Sequence, residues 1–261
     1  MLTNCQCFAS FARNIFLGGE KMTPEQPKTG FPAILPLGID GIIVRFADRL
    51  NESANQAALG FRAALAENPL AGVEEIAAAL TSVYLRFDPS GTSYETLRAA
   101  IRNHLCGNWK TARKTTPRRW YIPTVYGGEH GPQLAEMAKL AGMSESAAMA
   151  QISGTPLRVM SLGFAPGQPY LGLLPPAFDL PRQSALTKEV PSGALTMAIR
   201  QCVLFATPAP TGWRHIGQTR FKAFRPESDI PFPLQPGDEV YFTPVSIDDL
   251  ARLPPRMEPA P

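Results

Sequence analysis

The first half of the chain alternates between strand-like and helix-like spacings of apolar residues. Ser82–Phe87 is apolar at every second position, which predicts a strand with one buried face. Leu50–Glu67 and Tyr94–Leu105 place apolar residues three and four positions apart, which predicts two amphipathic helices. Gly41–Phe46 is a short β-branched run after a turn sequence, and it predicts another strand.

Two further segments decide the topology of this half. Val73–Leu80 is ambiguous, because its Glu-Glu-Ile-Ala-Ala-Ala run has helical propensity although its length suits a strand. Arg119–Tyr126 predicts a strand. When Val73–Leu80 is taken as a strand, the order is βαββαβ. This order predicts a two-layer, ferredoxin-like unit over residues 31–126.

Helical spacing ends before the second half. Gly131–Ala141 and Ser144–Gln151 predict two short helices within a bridge over residues 127–156. Short apolar runs bounded by proline or glycine follow, and they predict a β-barrel or sandwich over residues 157–247. These runs are Leu157–Leu162, Ala194–Ile199, Val203–Ala206, Phe221–Phe224 and Glu239–Thr243. The fold class is therefore α+β, and residues 248–261 are expected to form a loose tail.

The first 30 residues predict no folded element. Met1–Phe16 does not have the order of charged and apolar regions that a signal peptide requires. Gly18-Gly19-Glu20-Lys21 precedes Met22, and codons for these residues can form a ribosome-binding-like segment. Our hypothesis is that Met22 is the true start and that residues 1–30 are disordered.

Composition narrows the classes of function. The 261 residues are 44% hydrophobic and 18% charged, with a net charge of +3, which suits a folded protein and does not favour nucleic-acid binding. No apolar run approaches the roughly 20 residues of a membrane span. The four cysteines form no Cys-x-x-Cys pair and the three histidines are scattered, so no metal site is expected. Cys106 and Cys202 are interpreted as thiols of a reduced cytoplasm, although a disulfide between them stays open.

Several signatures of self-contained enzymes are absent from the sequence. It contains neither a Gly-x-x-x-x-Gly-Lys-Ser/Thr phosphate loop nor a Gly-x-Ser-x-Gly nucleophile turn. Any use of ATP is therefore not of the P-loop kind. Gly127–Gly131 reads Gly-Gly-Glu-His-Gly and leads into a predicted helix, where a helix-entry turn is favoured over an anion site.

The loop Leu162–Tyr170 is the strongest candidate for a preformed site. It reads L-G-F-A-P-G-Q-P-Y and contains two glycines, two prolines and two aromatic residues. Glycine permits close approach of the backbone and proline fixes its conformation, so the loop is stiff and displays Phe164 and Tyr170. A barrel corner is the simpler alternative.

An ordered series of motifs continues after this loop. The motifs are Leu-Pro-Arg at 180–182, Val-Pro-Ser-Gly-Ala at 190–194, Arg-Gln at 200–201, Pro-Thr-Gly-Trp at 210–213, His-Ile-Gly-Gln-Thr at 215–219 and Gln-Pro-Gly-Asp-Glu-Val-Tyr-Phe at 235–242. In this order and at these spacings the sequence resembles the carboxyltransferase subdomain C/D family, from about residue 31 to about residue 245. The resemblance implies a cyclophilin-like barrel in the second half and favours a strand at Val73–Leu80.

The resemblance also implies a function. The family includes the B subunits of ATP-dependent 5-oxoprolinases, which convert 5-oxoproline to glutamate with ATP hydrolysis. Such a chain acts with a carboxyltransferase-like C subunit and a separate A subunit, in the cytoplasm. ATP is then a substrate of the complex, and this chain is expected to be inactive alone.

Two alternatives come from other members of the family. One is a KipI-type protein that inhibits a histidine kinase. The other is allophanate hydrolase subunit 1, or a related urea carboxyltransferase subunit, which uses biotin. This chain has no Met-Lys-Met biotin carrier motif, so biotin would have to come from another chain.

The resemblance places Phe164, Tyr170, Arg182, Gln201 and Gln151 on the surface that faces the substrate or the C subunit. Arg182 can hold a carboxylate or phosphate with two hydrogen bonds, and the paired donor and acceptor of Gln201 can hold an amide. The alternatives are a surface salt bridge for Arg182 and an exposed edge residue for Gln201. Trp213 is interpreted as a core residue. His215 is expected to be a solvated turn histidine.

The sequence departs from the family pattern at several positions. Gln151 stands where the family has a histidine, and glutamine cannot carry a proton near neutral pH. Gln168 replaces a phenylalanine. Ile199 and Arg200 replace two glycines, which is expected to block a close backbone approach there. These departures suggest a diverged paralogue with an altered substrate or lost activity.

Overall fold

The computed structural model of the protein describes residues 30–107 and 117–259. The chain divides into two units, with the division between these two ranges, and each unit is described by itself. The hypotheses on Met22 and on disorder in residues 1–29 lie outside the described residues.

The N-terminal unit is a four-stranded antiparallel sheet with two helices. Its elements are β1 Ala33–Leu37, β2 Gly41–Arg45, α1 Glu52–Glu67, β3 Val73–Ala79, β4 Ser82–Phe87 and α2 Tyr94–Cys106. The strand order is β1-β2-β4-β3. Both helices contribute to one apolar core with the sheet, in which Phe61 and Leu65 of α1 and Ile101 of α2 are fully buried.

The ambiguous segment Val73–Leu80 is confirmed as a strand, which ends at Ala79. Its helical propensity is overridden because Ile76 and Ala78 pack on the core and the backbone pairs with β4. The sequence patterns do not predict β1. It pairs with β2 and forms the edge of the sheet.

The C-terminal unit is built around a β-barrel. Its strands are β5 Arg119–Tyr126, β6 Leu157–Leu162, β7 Pro169–Gly172, β8 Thr187–Val190, β9 Ala194–Ala198, β10 Gln201–Leu204, β11 Ala209–Thr211, β12 Arg214–Thr219, β13 Glu239–Pro244 and β14 Arg256–Glu258. Its helices are α3 Leu134–Leu140, α4 Glu145–Gly154 and α5 Ile247–Arg252.

Seven of these strands close into a ring. The order is β12-β9-β10-β7-β6-β13-β5, and β5 pairs with β12 to close it. β5 and β13 are parallel, whereas the other pairs in the ring are antiparallel. The barrel encloses an apolar core to which Ile122, Leu195 and Phe242 contribute, and α3 and α4 pack on the same core.

Strand Arg119–Tyr126 corrects the predicted topology. We expected it as the sixth element of the βαββαβ unit, but it is β5 of the barrel. The sequence identifies the strand itself, with Trp120 and Ile122 on the buried face. Alternation shows only that one face is buried, and it does not show which sheet the strand joins.

Two other predictions in this half are wrong. The segment that was expected to be a loose tail contains most of α5 and all of β14. Strand β14 pairs with the first residues of β5. Phe221–Phe224 was expected as a strand and is an irregular segment, although Phe221 is buried in the core. In the part of the chain that the structure describes, no helix has the length and apolarity needed to cross a bilayer.

Candidate functional site

The outer face of the barrel carries the first part of the candidate site. In the pairing of β7 with β10, Tyr170 lies opposite Val203 and Gly172 lies opposite Gln201. Directly opposed residues of an antiparallel pair project from the same face of the sheet. The alternate residue Cys202 belongs to the barrel interior, whereas Val203 and Tyr170 belong to a second apolar cluster. Tyr170 and Gln201 therefore share the outer face.

Tyr170, Trp213 and Arg182 are in contact there. The Tyr170 and Trp213 rings meet edge to face, with centroids 6.2 Å apart, and the Arg182 guanidinium lies 5.3 Å from the centre of the Trp213 ring. Such a cation–π contact holds a charged group over an apolar surface. Trp213 is confirmed as a buried residue of the second apolar cluster.

Burial changes the acid–base properties of this cluster. Desolvation raises the pKa of the Tyr170 phenol, and the nearby Arg182 charge opposes this rise only in part. Desolvation also lowers the pKa of Arg182, and Tyr170 partly offsets that change. At neutral pH the pair therefore presents a neutral phenol beside a half-buried cation, which is suited to an anionic ligand.

The main chain on both sides of Arg182 is fixed to the start of β12. Arg214 Nη1 donates to the Pro181 carbonyl over 2.6 Å. Gln183 donates its backbone N–H to the Gly212 carbonyl over 2.7 Å, and its side-chain amide donates to the Trp213 carbonyl over 3.0 Å. Arg182 is thus held between two anchored neighbours.

Helix α3 supplies a second layer of support. Glu136 accepts from Arg214 Nε over 2.9 Å, although Arg214 itself is almost fully buried. Gln133, just before α3, donates to the Gln183 side-chain oxygen over 2.9 Å and accepts from the His215 backbone N–H. Sequence reasoning missed these supporting residues. Their sequence positions could have indicated them, because Gln183 and Arg214 are next to Arg182 and Trp213, and Gln133 and Glu136 follow the Gly-Gly-Glu-His-Gly segment.

Gln201 is buried and its amide nitrogen is unsatisfied. The residue is 4% exposed, and its Nε2 has no hydrogen-bond partner among the described residues. A Cβ added at the opposed Gly172 would lie 3.6 Å from the Gln201 Cγ, so the side chain lies against a glycine backbone. An unpaired buried donor is unfavourable unless a ligand completes it.

The turn before Gln201 contradicts one expectation. Ile199 and Arg200 have φ values of 45° and 61°, the left-handed conformation that glycine adopts most easily. Close backbone approach is not blocked. The Ile199 N–H donates to the Leu180 carbonyl over 2.7 Å, and the Arg200 N–H donates to the Phe178 carbonyl over 3.0 Å. These bonds hold the turn although both residues carry side chains.

The loop that carries Phe164 is closed by its own hydrogen bonds. The Gly163 N–H donates to the Gln168 carbonyl over 3.0 Å, and the Gln168 N–H donates to the Ala165 carbonyl over 3.1 Å. Gln168 is buried, and its side-chain oxygen accepts from the Ala206 N–H over 3.3 Å. Phe164 has a φ of 72° and is 48% exposed. The loop therefore presents Phe164 outward, directly before the strand that carries Tyr170.

Gln151 takes no part in these contacts. It is an exposed residue of α4, and its backbone carbonyl accepts from the Thr155 hydroxyl. The structure therefore brings together Tyr170 and Arg182, places Gln201 on the same barrel face as Tyr170, and leaves Gln151 on a helix surface.

The structure contradicts the prediction for His215 and agrees with the turn predicted at Gly127–Gly131. His215 lies in β12 and is 6% exposed, so the expected solvated turn histidine is wrong. Its Nε2 lies 3.0 Å from the Gly217 carbonyl, and burial lowers its pKa. Gly127 packs against β12, where its N–H donates to the Ile216 carbonyl, so the glycine-rich segment forms a tight turn. No cluster of metal-binding side chains occurs within residues 30–107 and 117–259.

Taken together, these residues can recognise a ligand. The half-buried guanidinium can bind an anion, the unpaired amide donor can bind a carbonyl oxygen, and the neutral phenol can form a further hydrogen bond. Cys202 of β10 faces the barrel interior, and burial raises the pKa of its thiol. The described site thus offers binding and orientation, and it offers no activated thiol nucleophile.

The comparisons with known proteins define the class. Residues 32–234 match the carboxyltransferase domain, subdomain C and D, and the chain belongs to this family. It is 30% identical over 226 residues to the 5-oxoprolinase B subunit of Bacillus subtilis (strain 168), covering 82% of this chain and 92% of that protein. It is 38% identical over 138 residues to the 5-oxoprolinase B subunit of Escherichia coli O157:H7, covering 52% of this chain and 63% of that protein.

Solved structures agree with this class. The crystal structure of TTHA0988 matches with a TM-score of 0.67 and 32% identity, and the match covers 79% of this chain and 40% of TTHA0988. The Kluyveromyces lactis urea carboxylase matches with a TM-score of 0.68 and 15% identity, over 89% of this chain and 25% of that chain. The similarity to urea carboxylase shows a shared fold. The matches cover less than half the length of either solved protein.

Proposed function

We propose that this chain is the B subunit of an ATP-dependent 5-oxoprolinase-type amidohydrolase, acting in the cytoplasm with a carboxyltransferase-like C subunit and a separate A subunit. The observation that carries the proposal is the alignment with the 5-oxoprolinase B subunit of Bacillus subtilis, which extends over 92% of that protein. The cyclophilin-like barrel expected from the family is part of the same proposal.

The site suits the chemistry of 5-oxoproline. This molecule carries a carboxylate and a lactam, which are an anion and an amide on one small ring. The Arg182 guanidinium would hold the carboxylate through charge-assisted hydrogen bonds. The unsatisfied Gln201 Nε2 would donate to the lactam oxygen and complete its own hydrogen bonding. Both roles fix the orientation of the ring.

Hydrolysis of the ring needs activation, because a lactam carbon is a weak electrophile. Transfer of the γ-phosphoryl group of ATP to the lactam oxygen breaks the bond to ADP and creates a good leaving group. Hydrolysis then consumes two water molecules, because the first opens the ring to γ-glutamyl phosphate and the second releases phosphate from this acyl phosphate and leaves glutamate. The cation at Arg182 would keep the substrate in place through both steps, and the bond-breaking groups are assigned to the partner chains.

The test is 5-oxoproline-dependent ATP hydrolysis by this chain co-expressed with its A and C partners. Arg182→Ala is expected to raise the KM for 5-oxoproline at least tenfold, and Arg182→Lys is expected to raise it less, because lysine keeps the charge. Arg252→Ala, at an exposed arginine of α5, is the matched control and is expected to leave KM unchanged.

Gln201→Leu tests the second contact, because it keeps the size of the side chain and removes the donor. It is expected to lower kcat/KM without loss of the fold. A complex that assembles and shows no 5-oxoproline-dependent turnover would refute the proposed substrate. A chain that binds no C subunit and inhibits a histidine kinase would support the KipI-type alternative instead.

A further inference from the structure

Two adjacent loops of the C-terminal unit display large apolar side chains to solvent. Phe164 is 48% exposed in the loop 163–168, and Ile230 and Phe232 are 63% and 46% exposed in the loop 224–232. The Phe224 ring stacks on Phe232, with centroids 5.2 Å apart. We call these four residues the two-loop patch. Clustered apolar side chains on a surface mark interaction sites more often than single ones do.

The patch is preformed, because the two loops are packed together at Gly167. A Cβ added to this glycine would lie 2.3 Å from the Ala223 carbonyl oxygen and 3.2 Å from the Phe232 ring. The loop 224–232 is closed by the Arg225 N–H, which donates to the Pro231 carbonyl over 2.8 Å. A partner would therefore meet an ordered surface and would lose little loop entropy on binding.

Phe164 adds a second reason to regard the patch as functional. Its φ of 72° is disfavoured for a bulky side chain, and half of the side chain stays in solvent. Folding gains little from an exposed aromatic ring in a disfavoured conformation. Such residues persist where the conformation serves binding.

The position of the patch and the length of related chains indicate the occupant. The loop that carries Phe164 runs directly into β7, where Tyr170 contacts Trp213 of the candidate site. The match with this protein covers only 40% of TTHA0988. The matching unit of TTHA0988 is thus part of a longer chain, and the rest of that chain can cover such a surface. The relatives that are named as B subunits also imply other subunits.

We propose that the two-loop patch docks an apolar surface of the C subunit, and that this docking places the C subunit next to Tyr170 and Arg182. This inference rests on the proposed function for the identity of the partner. It explains how a site that only binds and orients a ligand is completed, because a chain seated on Phe164 lies next to the strand that carries Tyr170.

The test uses isothermal titration calorimetry to measure the Kd between the purified full-length chain and its purified C partner. The double variant Ile230→Ser with Phe232→Ser is expected to weaken binding at least 100-fold. Phe164→Asn is expected to weaken it at least tenfold, because asparagine tolerates the left-handed backbone and removes the ring. Ile247→Ser is the matched control, since Ile247 is 51% exposed in the same unit, and its Kd is expected to stay within twofold.

Thermal unfolding of each variant, measured by circular dichroism, identifies any loss of the fold. Wild-type Kd values in the folded patch variants would overturn the proposal, and so would a wild-type chain that does not bind the C subunit. A homodimer that the patch variants dissociate would overturn it as well, because the occupant would be a second copy. If patch variants lose binding while the wild-type complex hydrolyses no 5-oxoproline, the docking surface stands and the proposed substrate falls.

Discussion

Replacement of Gly167 by alanine is expected to destabilise the C-terminal unit strongly. Two effects add at this position. The backbone has a φ of +71°, which costs a residue with a side chain about 1–2 kcal/mol. The new Cβ would also lie 2.3 Å from the Ala223 carbonyl oxygen, so the two loops have to move apart, at about 1–3 kcal/mol for overpacking. The expected loss in the free energy of unfolding is about 2–5 kcal/mol.

Gly142 provides a control that separates the two effects. Its φ is +73°, almost the same as that of Gly167, but no atom lies within 4 Å of an added Cβ. Gly142→Ala is therefore expected to cost only the conformational part, about 1 kcal/mol after the smaller entropy of the unfolded alanine chain is included. The difference between the two variants, about 2 kcal/mol, measures the contact between the loops.

The assay is thermal unfolding followed by tryptophan fluorescence in a Trp109→Phe background. The remaining tryptophans, Trp120 and Trp213, both lie in the C-terminal unit and report on it. Gly167→Ala is expected to lower Tm by roughly 4–8 °C more than Gly142→Ala does. Equal Tm values for the two variants would refute the packing of the loops at Gly167, and with it the preformed patch.

Three further predictions concern buried polar groups. Asp238 is 4% exposed and accepts hydrogen bonds from Arg118, from Trp120 and from a backbone N–H. Asp238→Asn is therefore expected to lower the free energy of unfolding, measured in urea, by about 2–3 kcal/mol. A loss under about 0.5 kcal/mol would contradict a structural role. Burial lowers the pKa of His215, so the unfolded chain takes up a proton first as the pH falls below about 6.5. The free energy of unfolding is therefore expected to decrease as the pH is lowered through this range, and to decrease less in His215→Gln. Identical pH profiles of Tm for the wild type and this variant would contradict the lowered pKa. Burial also raises the pKa of Cys202, so iodoacetamide is expected to label exposed Cys106 in the native protein and Cys202 only after unfolding, which peptide mass spectrometry distinguishes.

Local patterns are sufficient to predict most elements of the fold. Alternation locates β4 and β5, and the spacing of apolar residues locates α1 and α2. The assignment of strands to sheets is not available from local patterns, because pairing joins residues far apart in the sequence. The closure of the barrel by Thr124 and Tyr126 of β5 against β12 is one example, since nothing near residue 126 indicates residue 217 as its partner.

The short strands are the other source of error. Pro169–Gly172 and Ala209–Thr211 contain too few residues to show a period, and Arg214–Thr219 reads as a polar turn although it is buried in the barrel wall. Phe221–Phe224 has the opposite problem, because its two aromatic rings suggest a strand where the backbone only anchors Phe221 in the core. Irregular segments can be as apolar as strands when they cover a core.

The candidate site is predictable only where its residues lie in distinctive motifs. Tyr170 and Arg182 lie in Pro- and Gly-rich segments, and the structure brings them together over Trp213. Arg214 and Gln183 support Arg182 through bonds that span about 30 residues of sequence, and no local pattern encodes such bonds. Gln201 is predicted as a polar contact, but its unpaired nitrogen is visible only when its surroundings are known.

Under the proposed function, the arrangement of polar groups accounts for catalysis that needs a partner chain. The groups able to act as bases or nucleophiles near the site are constrained, because His215 is bound to the Gly217 carbonyl and Cys202 faces the barrel core with a raised pKa. The cation at Arg182, in contrast, is held by anchored neighbours on both sides and keeps its charge beside a neutral phenol. A surface of this kind is suited to holding an anionic amide in one orientation, and the two-loop patch lies at the end of the same strand. In the proposed complex the reactive groups come from the partner, and the proposal therefore requires that turnover depends on assembly.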